Sequence, residues 1–427
     1  MGYKAPRGTV DLLPAQTKNW QYLEQLLRTI AYNYNVKEIR VPIFEHTELF
    51  TRSVGEETDV VSKEMYSFTD RKARSLTLRP EGTAGVVRAF VENKMYVNPD
   101  GLTKLYYMGP MFRYERPQKG RQRQFHQFGV EMLGLKDPAI DVECMVMAVT
   151  IIESLGIKDV KLHINTLGDA SSREAYRNAL QNHFKDALDE LCEDCKNRYE
   201  KNPLRILDCK VDKDHPLMKT APKTIDYLND ESKAHFEKVC SLLDDLEVDY
   251  ELDYNLVRGL DYYCDTVFEV ISNDSALGNA STLGGGGRYN KLVEELGGPE
   301  TPGVGFAFGL ERIAIALEKI MAEEEEGLDV YIMPLGVEAK DLAVQIITML
   351  RANGLSCDMD YGNRSMKAMF KTVDRNNAHF AMIIGEEEVK NEVVNIKCVH
   401  SRKQETVKLE NIMAYIENHL QGGHEHE

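Results

Sequence analysis

The spacing of apolar residues predicts that the chain begins with an amphipathic helix followed by an edge strand. Apolar positions between Thr17 and Tyr34 share one helical face, at Trp20, Leu23, Leu26, Leu27, Ile30 and Ala31. Ile39, Val41 and Ile43 then alternate as in a strand. Because Pro42 cannot donate a ladder hydrogen bond, we expect this strand to end or to lie at an edge, where a partner chain could meet it.

Two strands joined by a basic loop are predicted between Tyr107 and Leu133. Side chains alternate along a strand, so one face of the second strand carries Phe125, Gln127, Gly129, Glu131 and Leu133. The same parity groups Gly109, Met111, Arg113 and Glu115 on the first strand. We therefore expect an arginine, an amide and a carboxylate to meet over glycines that leave room for a ligand.

The loop between these strands concentrates positive charge. Its basic residues are Arg116, Lys119, Arg121 and Arg123. Such a concentration suits phosphate, whereas a solvated hairpin tip is the alternative. The polar parity of both flanking strands favours the phosphate site.

A hairpin and the start of a helix precede this region. Met65 to Phe68 and Leu76 to Leu78 have the pattern of paired strands. The segment Arg79 to Thr83, RPEGT, then turns into a helix with Thr83 as a possible cap. Glu81 on this turn would either face a pocket or act as a partner of the helix dipole.

A change in residue pattern in the middle of the chain, from strand-like to charged and helix-periodic, indicates an insertion. A helix from Pro138 to Leu155 and a strand from Lys161 to Asn165 come first. Between residues 171 and 252 the segments are charged and helix-periodic, with few β-branched runs. Strand-like patterns resume only at Leu256, so we expect residues 171–252 to form a helical insertion.

The segment LVRGLDYY, Leu256 to Tyr263, is the second informative stretch. Arg258, Tyr262 and Tyr263 cluster just before a strand predicted from Thr266 to Ile271. A tyrosine pairs a flat apolar ring with a hydrogen-bonding tip, which suits a small aromatic or heterocyclic ligand. A buried structural tyrosine pair is the alternative.

Small residues define the third stretch. Gly284 to Gly287 is too glycine-rich to predict a regular strand, and its spacing is neither that of a P-loop nor that of a dinucleotide-binding loop. Further on, one strand face carries Gly303, Gly305, Ala307 and Gly309. A flat base could lie against this bare face, although close helix-on-sheet packing also uses small residues. Arg312 opens the next helix, where both the guanidinium and the helix N-terminus favour phosphate.

The last hundred residues predict a separate α/β domain. After an acidic linker, Glu323 to Glu326, strands and helices alternate, which indicates helices packed on a mostly parallel sheet. One helix face carries Arg364, Lys367, Lys371 and Arg375, where a solvated face and an RNA contact are both open. The tail 422–427 carries no structural signal.

Length and charge narrow the function classes. A chain of 427 residues predicts two or three domains. The net charge of -17 argues against general attraction to nucleic acid and against DNA binding, so a polyanion must meet local basic patches. We see neither a membrane-spanning run nor a secretory leader, and we expect a cytoplasmic protein.

The eight cysteines are interpreted as reduced thiols rather than as a disulfide framework. Cys192 and Cys195 form a C-x-x-C pair, with Cys209 and His215 downstream. Three thiols and an imidazole could form a zinc site, but a second clean pair is missing. Ordinary thiols and a metal site therefore both remain open.

Taken together, these stretches resemble the class II aminoacyl-tRNA synthetases, and specifically the histidyl-tRNA synthetase family, over nearly the whole chain. The class features are a long helix and strand ending at Pro42, a hairpin with Phe112 and Arg113, and a small-residue strand leading to Glu311 and Arg312. LVRGLDYY and RPEGT resemble signatures of the histidine family. The chain departs from the family at Asn290, where Asp is usual after Arg-Tyr.

The resemblance implies an α+β fold: a class II antiparallel-sheet catalytic core at residues 1–325 with a helical insertion at 171–252, and an α/β anticodon-binding domain at 329–421. It implies that ATP and L-histidine form histidyl-adenylate, and that the histidyl group then passes to the 3′ end of its tRNA. It also implies Mg²⁺ bound with ATP rather than held by the protein, and a homodimer.

The resemblance also implies roles for individual residues. Histidine would be bound by Glu81, Gly82, Thr83, Gln127, Glu131, Tyr262 and Tyr263. ATP would be bound by Arg113, Glu115, Arg121, Arg258, Gly305 and Arg312, with Arg113 and Arg258 as the catalytic pair on the α-phosphate. The tRNA would meet Arg116, Gln118, Arg364 and Lys367. The alternative is a non-catalytic, histidine-sensing regulatory subunit of ATP phosphoribosyltransferase, which typically lacks the C-terminal domain and the phosphate-binding arginines.

Overall fold

The computed structural model describes residues 2–55, 58–209, 211–273, 282–320 and 327–421. These residues divide into two compact units, Met1–Met321 and Ala322–Glu427. The acidic linker Glu323 to Glu326 and the tail 422–427 lie outside the described residues. Within the described parts of the chain, no helix combines the length and apolar character needed to cross a bilayer.

The first unit alternates strands and helices. Its strands are β1 (Lys37–Glu38), β2 (Phe44–His46), β3 (Tyr66–Thr69), β4 (Ser75–Leu78), β5 (Thr103–Phe112), β6 (Gln124–Leu133), β7 (Val160–Thr166), β8 (Tyr250–Leu252), β9 (Cys264–Ser272), β10 (Thr282–Arg288) and β11 (Gly303–Gly309). Its helices are α1 (Pro14–Asn33), α2 (Thr47–Val54), α3 (Thr83–Glu92), α4 (Pro138–Ser154), α5 (Ala170–Phe184), α6 (Glu193–Lys201), α7 (Pro216–Lys219), α8 (Asp230–Asp245), α9 (Leu292–Glu295) and α10 (Leu310–Ile320).

A large, mostly antiparallel sheet organises this unit and confirms the predicted fold class. The described strands pair in the order β1-β5-β6-β11-β10-β9-β7-β8. The pairs β1–β5 and β7–β8 at the two edges are parallel, and the pairs between them are antiparallel. A separate small sheet has the order β2-β4-β3. One face of the large sheet is covered by helices, because apolar side chains of α1, α4, α8 and α10 share its main core.

The parity predicted for the central hairpin agrees with the structure. Val130 and Met132 of β6, with Val304 and Phe306 of β11, are buried in the main core. Glu131 lies between the two β6 residues and so points to the opposite face. That opposite face of the sheet is where the predicted ligand-binding residues collect.

The strand predicted from Ile39 to Ile43 is wrong. The strands are β1 and β2, and residues 39–43 run between them. Ile39 donates its backbone N–H to the Tyr106 oxygen at 2.8 Å, and the Val41 oxygen accepts from the Arg79 guanidinium at 3.1 Å. The segment is therefore held by single hydrogen bonds, one of them to a side chain, rather than by a continuous ladder.

Gly284 to Gly287 forms the middle of a strand, against the prediction. β10 is paired on both sides, with β9 and with β11. Backbone pairing needs no side chain, and here the neighbours leave no space for one: a Cβ at Gly284 or Gly286 would overlap the backbone of β11. Two breaks in the register with β9, at Thr282/Gly284 and Gly287/Arg288, accommodate the glycine run.

The segment predicted as a helical insertion joins two different cores. Side chains of α5 and α6 share a second apolar cluster with the Leu256 to Tyr263 loop. In contrast, Phe236, Val239 and Leu243 of α8 belong to the main core. The chain then returns to the large sheet as β8 beside β7.

The second unit has the predicted alternation with two additions. Its strands are β12 (Val330–Pro334), β13 (Cys357–Met359), β14 (Phe380–Ile384), β15 (Val393–Cys398) and β16 (Gln404–Lys408). Its helices are α11 (Val337–Ala352), α12 (Met366–Arg375), α13 (Glu386–Lys390) and α14 (Ile412–Gln421). β13, β12 and β14 are parallel, but β15 and β16 join antiparallel, so the expectation of a mostly parallel sheet is wrong for that half.

Arg364 precedes α12, so the prediction that it lies on the basic face of this helix is wrong. The Arg364 guanidinium binds the Asp360 carboxylate, and it also donates to the Thr372 hydroxyl at 3.0 Å and the Tyr331 hydroxyl at 2.8 Å. Arg364 therefore helps to hold its own domain together. Lys367 and Lys371 are exposed.

A fully buried ion pair connects the sheet to α4. Arg288, at the end of β10, donates Nε to Asp141 at 3.0 Å, and both side chains are completely inaccessible to solvent. Burial alone would raise the pKa of Asp141, but hydrogen bonding to His235 and the charge of Arg288 hold it below its ordinary value. Asn290 accepts from Arg288 at 3.4 Å and donates to Asp265 at 3.1 Å. With Asp at 290, two carboxylates would face each other there.

We predict that Asp141→Asn destabilises the first unit by about 3–5 kcal/mol, because the Arg288 charge would remain buried without its partner. Urea unfolding followed by tryptophan fluorescence measures this, since Trp20 is the chain's single tryptophan and lies in the same core. The matched control is Glu294→Gln, which breaks the exposed pair with Lys291 and should cost less than about 1 kcal/mol. Equal losses in the two variants would contradict the prediction.

Candidate active site

A cavity of about 710 Å³ opens on the face of the large sheet that the core helices leave uncovered. The predicted histidine and ATP residues that line it are Glu81, Thr83, Arg113, Glu115, Arg121, Gln127, Glu131, Arg258, Tyr262, Tyr263, Gly305 and Arg312. Gly82 lies just before α3, where a Cβ would overlap the Tyr107 ring. Residues from widely separated parts of the chain therefore meet at one site.

The floor of the cavity is a row of paired residues across five strands. Pairing runs from Tyr107 to Gly129, then to Ala307, Gly285 and Glu269. Directly paired residues point to the same face, so large polar side chains stand at both ends of the row and small ones in the middle. In the neighbouring row Gly305 pairs with Glu131, and a Cβ at Gly305 would overlap the Glu131 carboxylate.

One end of the cavity is built around the buried carboxylate of Glu131, which is 1% exposed. Its Oε1 accepts a hydrogen bond from the Thr83 hydroxyl at 2.7 Å, and its Oε2 accepts from the Tyr289 hydroxyl. Burial raises the pKa of Glu131 to about 8, against the lowering effect of these two hydrogen bonds. Thr83 is thus a partner of Glu131 and the first residue of α3, not the predicted cap of that helix.

Glu81 supplies the cap instead. Its carboxylate accepts from the backbone N–H groups of Thr83 at 2.7 Å and Ala84 at 2.8 Å, so the helix-dipole alternative describes one part of its role. Glu81 is also 3% exposed and lines the cavity, and burial raises its pKa. One carboxylate therefore both starts α3 and supplies negative charge to the site.

The tyrosines form a connected aromatic wall beside Glu131. The ring centroids of Tyr262 and Tyr263 are 4.5 Å apart, and those of Tyr262 and Tyr289 are 5.5 Å apart. Burial raises the pKa of all three, so each hydroxyl stays protonated and can donate. This end of the cavity suits a flat, polar ring.

Arginines surround the other end of the cavity. Arg113 donates Nε to the Pro80 oxygen at 2.8 Å and stacks on Phe125. Arg258 is paired with Glu269, and its Nε is buried without a partner among the described residues. Arg312 binds the Thr282 oxygen, and burial, reinforced by the charge of Arg121, lowers its pKa. Clustered guanidinium groups of this kind bind phosphate.

The basic loop contributes less charge to the cavity than the sequence predicts. Arg121 lines the cavity and lies 3.5 Å from Glu115. Arg123 instead stacks on Tyr114 and donates to the Glu115 backbone oxygen at 3.2 Å. Arg116 and Gln118 are exposed on the loop.

Among the cavity residues that were missed from the sequence, Tyr107, Tyr289 and Glu269 contribute polar groups on the floor and at the Glu131 end. Tyr107 lies two residues before Gly109 on β5 and so points to the same face of the sheet. The strand pattern could therefore have identified it. Glu269 is the only charged residue between Thr266 and Ser272 of β9, and an isolated charge on a buried strand is also a signal. Tyr289 follows a glycine run that was not expected to be a strand, and its orientation could not be inferred.

We predict that Glu131→Gln stabilises the folded protein relative to wild type, and increasingly so as the pH rises from about 5 to about 8. Folded wild type keeps the Glu131 proton up to a pKa of about 8, whereas the ordinary value is 4.5. The folded state therefore binds more protons in this window, and its free energy of unfolding falls with rising pH by one to a few kcal/mol in all, about 1.4 kcal/mol per pKa unit.

Urea midpoints for wild type and Glu131→Gln at several pH values measure this difference. The exposed Glu294→Gln serves as the control and should run parallel to wild type. A wild-type-to-Glu131→Gln gap that does not change between pH 5 and pH 8 would contradict the prediction.

Comparison with known proteins agrees with this geometry. The family model for histidyl-tRNA synthetase matches residues 8–313, and the anticodon binding domain model matches residues 329–419. The chain is 54% identical over 424 residues to the histidine–tRNA ligase of Bacillus subtilis, covering 99% of this chain and 100% of the relative. The relative from Geobacillus sp. WCH70 is also 54% identical, over 422 residues, covering 98% of this chain and 100% of the relative.

Solved structures agree with the sequence relatives. The apo histidyl-tRNA synthetase of S. aureus has a TM-score of 0.83 and 44% identity, covering 97% of this chain and 100% of that one. A Bacillus halodurans chain described as an ATP phosphoribosyltransferase regulatory subunit/histidyl-tRNA synthetase matches at a TM-score of 0.65, over 90% of this chain and 99% of its own, but at 21% identity it shares only the fold. The chain belongs to the histidyl-tRNA synthetase family.

Proposed function

We propose that the protein is a histidine–tRNA ligase, which activates L-histidine with ATP and transfers it to the 3′ end of tRNA(His). The observation that carries the proposal is the division of one cavity into a carboxylate and tyrosine end around Glu131 and an arginine end around Arg113, Arg258 and Arg312. A ligand with an imidazole at one end and phosphates near the other would be complementary to both. The N-terminal unit would be the catalytic domain, with residues 171–252 as its insertion, and the C-terminal unit would bind the anticodon.

The Glu131 end would select histidine. Glu131 and the Tyr263 hydroxyl would hydrogen-bond the two ring nitrogens, with Tyr262 beside the ring. Glu81, Thr83 and Gln127 would hold the ammonium group. Gln127 Oε1 is buried and has no partner among the described residues, so it is an acceptor that a bound ammonium would satisfy. An apolar side chain in the same place would leave Glu131 buried without a ligand partner, which disfavours it.

The arginine end would promote adenylate formation. The substrate carboxylate attacks the α-phosphorus of ATP; a carboxylate O–P bond forms, the bond to the β-phosphate oxygen breaks, and pyrophosphate leaves. The protein supplies alignment and positive charge rather than a nucleophile. Arg113 and Arg258 would bind the α-phosphate from two sides, Arg312 the γ-phosphate, and Glu115 with Arg121 would border the nucleotide. Gly305 would leave a bare surface for the base.

The cavity also fits a divalent cation carried in with ATP. Glu64 and Glu115 both line it, and burial together with the charge of Glu115 raises the pKa of Glu64. A cation would relieve this repulsion between carboxylates. Mg²⁺ bound with ATP would supply charge neutralisation on the phosphates.

The second step would use a ribose hydroxyl of the tRNA 3′ end. That oxygen attacks the histidyl carbonyl carbon, the bond to AMP breaks, and AMP leaves as the ester forms. The exposed Arg116 and Gln118 would approach the acceptor end. In the anticodon-binding domain Lys367 would contact RNA. Arg364 would act by holding the segment before α12 in place, because its guanidinium is already bound to three partners. None of the eight cysteines forms a disulfide, which supports our proposal of a cytoplasmic location.

Pyrophosphate exchange with each of the standard amino acids tests the function. We expect exchange with histidine alone, because only an imidazole satisfies Glu131 and Tyr263 together. Exchange with a different amino acid would show that histidine is not the substrate. No exchange with any amino acid would favour a regulatory subunit that only senses histidine.

We predict that Arg258→Ala lowers histidine-dependent exchange by about 100-fold or more, because a guanidinium on the α-phosphate acts in the transition state. Since this change also leaves Glu269 without its partner, Arg258→Lys is the second variant: it keeps the charge but loses the two-pronged geometry, and should still lose about 10-fold. Arg28→Ala on α1, whose side chain is 38% exposed, is the control. Near-normal exchange in Arg258→Lys together with a normal melting temperature would refute the role of Arg258.

We further propose a homodimer that uses the small β2-β4-β3 sheet. Phe44 and Phe68 are 52% and 45% exposed on this sheet, and their rings lie 6.3 Å apart. Exposed Pro42 and Ile43 extend the apolar surface. An exposed aromatic pair on an edge sheet supports contact with a second copy.

We therefore predict that Phe68→Asp weakens dimerisation, because it places a charge in a dry interface. Light scattering across a range of protein concentrations should give the mass of two chains for wild type and a shift toward one chain for the variant. Tyr22→Asp on α1, 44% exposed in wild type, is the matched control. A wild-type mass of one chain at all concentrations would overturn the dimer.

A further inference from the structure

Three thiols and one carboxylate converge beside the catalytic cavity. The side-chain ligand atoms of Cys192, Cys195, Cys209 and Asp212 all lie within 4.8 Å of one another. Cys195 and Cys209 are buried, at 0% and 5% exposure. Neither the reaction nor the histidine and ATP sites use this cluster.

Two ligand–ligand distances within the cluster are close to those of a tetrahedral zinc site. A Zn–S bond of about 2.3 Å places two tetrahedral sulfur ligands about 3.8 Å apart, and a sulfur and a carboxylate oxygen slightly closer. Cys192 Sγ and Cys209 Sγ are 3.7 Å apart, and Cys209 Sγ lies 3.7 Å from Asp212 Oδ2. A disulfide would require an S–S distance of about 2.05 Å, so Cys192 and Cys209 are not bridged and their spacing leaves room for a shared metal ion.

The local backbone holds the ligands in place from two short segments. Cys192 is the residue before α6, and Cys195 lies in the first turn of that helix. Cys209 and Asp212 come from the second segment, where the Asp212 backbone N–H donates to Cys209 Sγ at 3.4 Å. The Cys192 N–H donates to Asp212 Oδ2 at 3.0 Å and ties the two segments together. Backbone N–H groups directed at ligand atoms are typical outer-shell support for a metal.

Asp212 takes the place that the sequence offered to His215. The His215 ring accepts from the Leu217 N–H at 3.3 Å and lies 3.2 Å from Glu190, so it caps α7 and is not part of the cluster. Three soft thiolates with one carboxylate in a closed tetrahedron favour Zn²⁺ over Mg²⁺ or Ca²⁺, which prefer more oxygen ligands.

We propose that Cys192, Cys195, Cys209 and Asp212 bind one structural Zn²⁺ ion that fixes this part of the insertion as a wall of the catalytic cavity. Binding would replace the three thiol protons, which pass to solvent. Between the ligand segments, Arg205 donates to the Gly259 oxygen at 3.1 Å and Asn202 donates to the Asp261 carboxylate at 3.2 Å. The ion would thus support the loop that carries Arg258 and Tyr263.

Metal content of the purified full-length protein tests the site independently of the proposed function. We expect about one Zn²⁺ per chain by mass spectrometry of the metals, retained after a weak chelator and released when the thiols are modified. Replacement by Co²⁺ should give the visible bands of a tetrahedral thiolate site. Both measurements are made on the wild-type protein, so the proposal can be tested even if a ligand variant fails to fold.

Variants then assign the ligands. Cys195→Ser and Asp212→Asn should lower bound zinc by about 10-fold or more, whereas Asp212→Cys should retain it and intensify the thiolate-to-cobalt absorption. Cys240→Ser on α8 is the matched control, since Cys240 lies outside the cluster, and should keep its zinc. The proposal is overturned if wild-type protein supplied with Zn²⁺ holds none, or if zinc survives in Cys195→Ser.

Discussion

The active site depends on one packing constraint: the middle of the large sheet must be bare so that polar side chains from its edges can lie over it. Three glycines on adjacent strands each leave room for one functional group. A Cβ at Gly129 would overlap the Tyr107 hydroxyl, one at Gly305 would overlap the Glu131 carboxylate, and one at Gly285 would come within 3.0 Å of the Arg258 guanidinium. Glycine costs backbone entropy in a strand, and here that cost permits burial of groups that would otherwise stand in water.

Burial also makes the site electrostatically incomplete without ligands. Among the described residues, Glu131 accepts from two neutral hydroxyl donors and forms no ion pair, and burial raises its pKa to about 8. Arg312 binds a backbone oxygen, and the same burial, together with the charge of Arg121, lowers the pKa of its guanidinium. Substrates that bring an imidazole N–H to one and phosphate oxygens to the other would complete both. An acidic chain of net charge -17 could in this way bind polyanions, because arginines are concentrated around the candidate site.

Elements in which apolar residues repeat regularly over many positions could be predicted from the sequence. Elements whose structure is determined by backbone contacts with distant segments could not. α1 was predictable because one face of the helix is apolar over several turns. The β5–β6 hairpin was predictable because one face of the strand pair is apolar over several successive residue pairs. β10 was not, since a glycine run has no side-chain period and its strand character comes from neighbours on both sides. Thr83 was expected to cap α3, but Glu81 two residues earlier reaches the same N–H groups with a charged group. The parity of β6 indicated the direction of Glu131, yet its partner Tyr289 could be identified only from the pairing of distant strands.

The loop with Arg258, Tyr262 and Tyr263 has no regular structure, so its position must come from contacts with other segments. Asp261 in this loop donates its backbone N–H to the Val54 oxygen at 3.2 Å and accepts from Asn202 of the insertion at 3.2 Å. Gly55 has a φ of 100° and no room for a side chain against Asp261, so the end of α2 is shaped to fit the loop. The loop is therefore held from the core on one side and from the insertion on the other. Any loss of order in segment 171–252 would therefore loosen Arg258 and Tyr263 together, and the same segment also lines the cavity, at Arg198 and Arg205 among others.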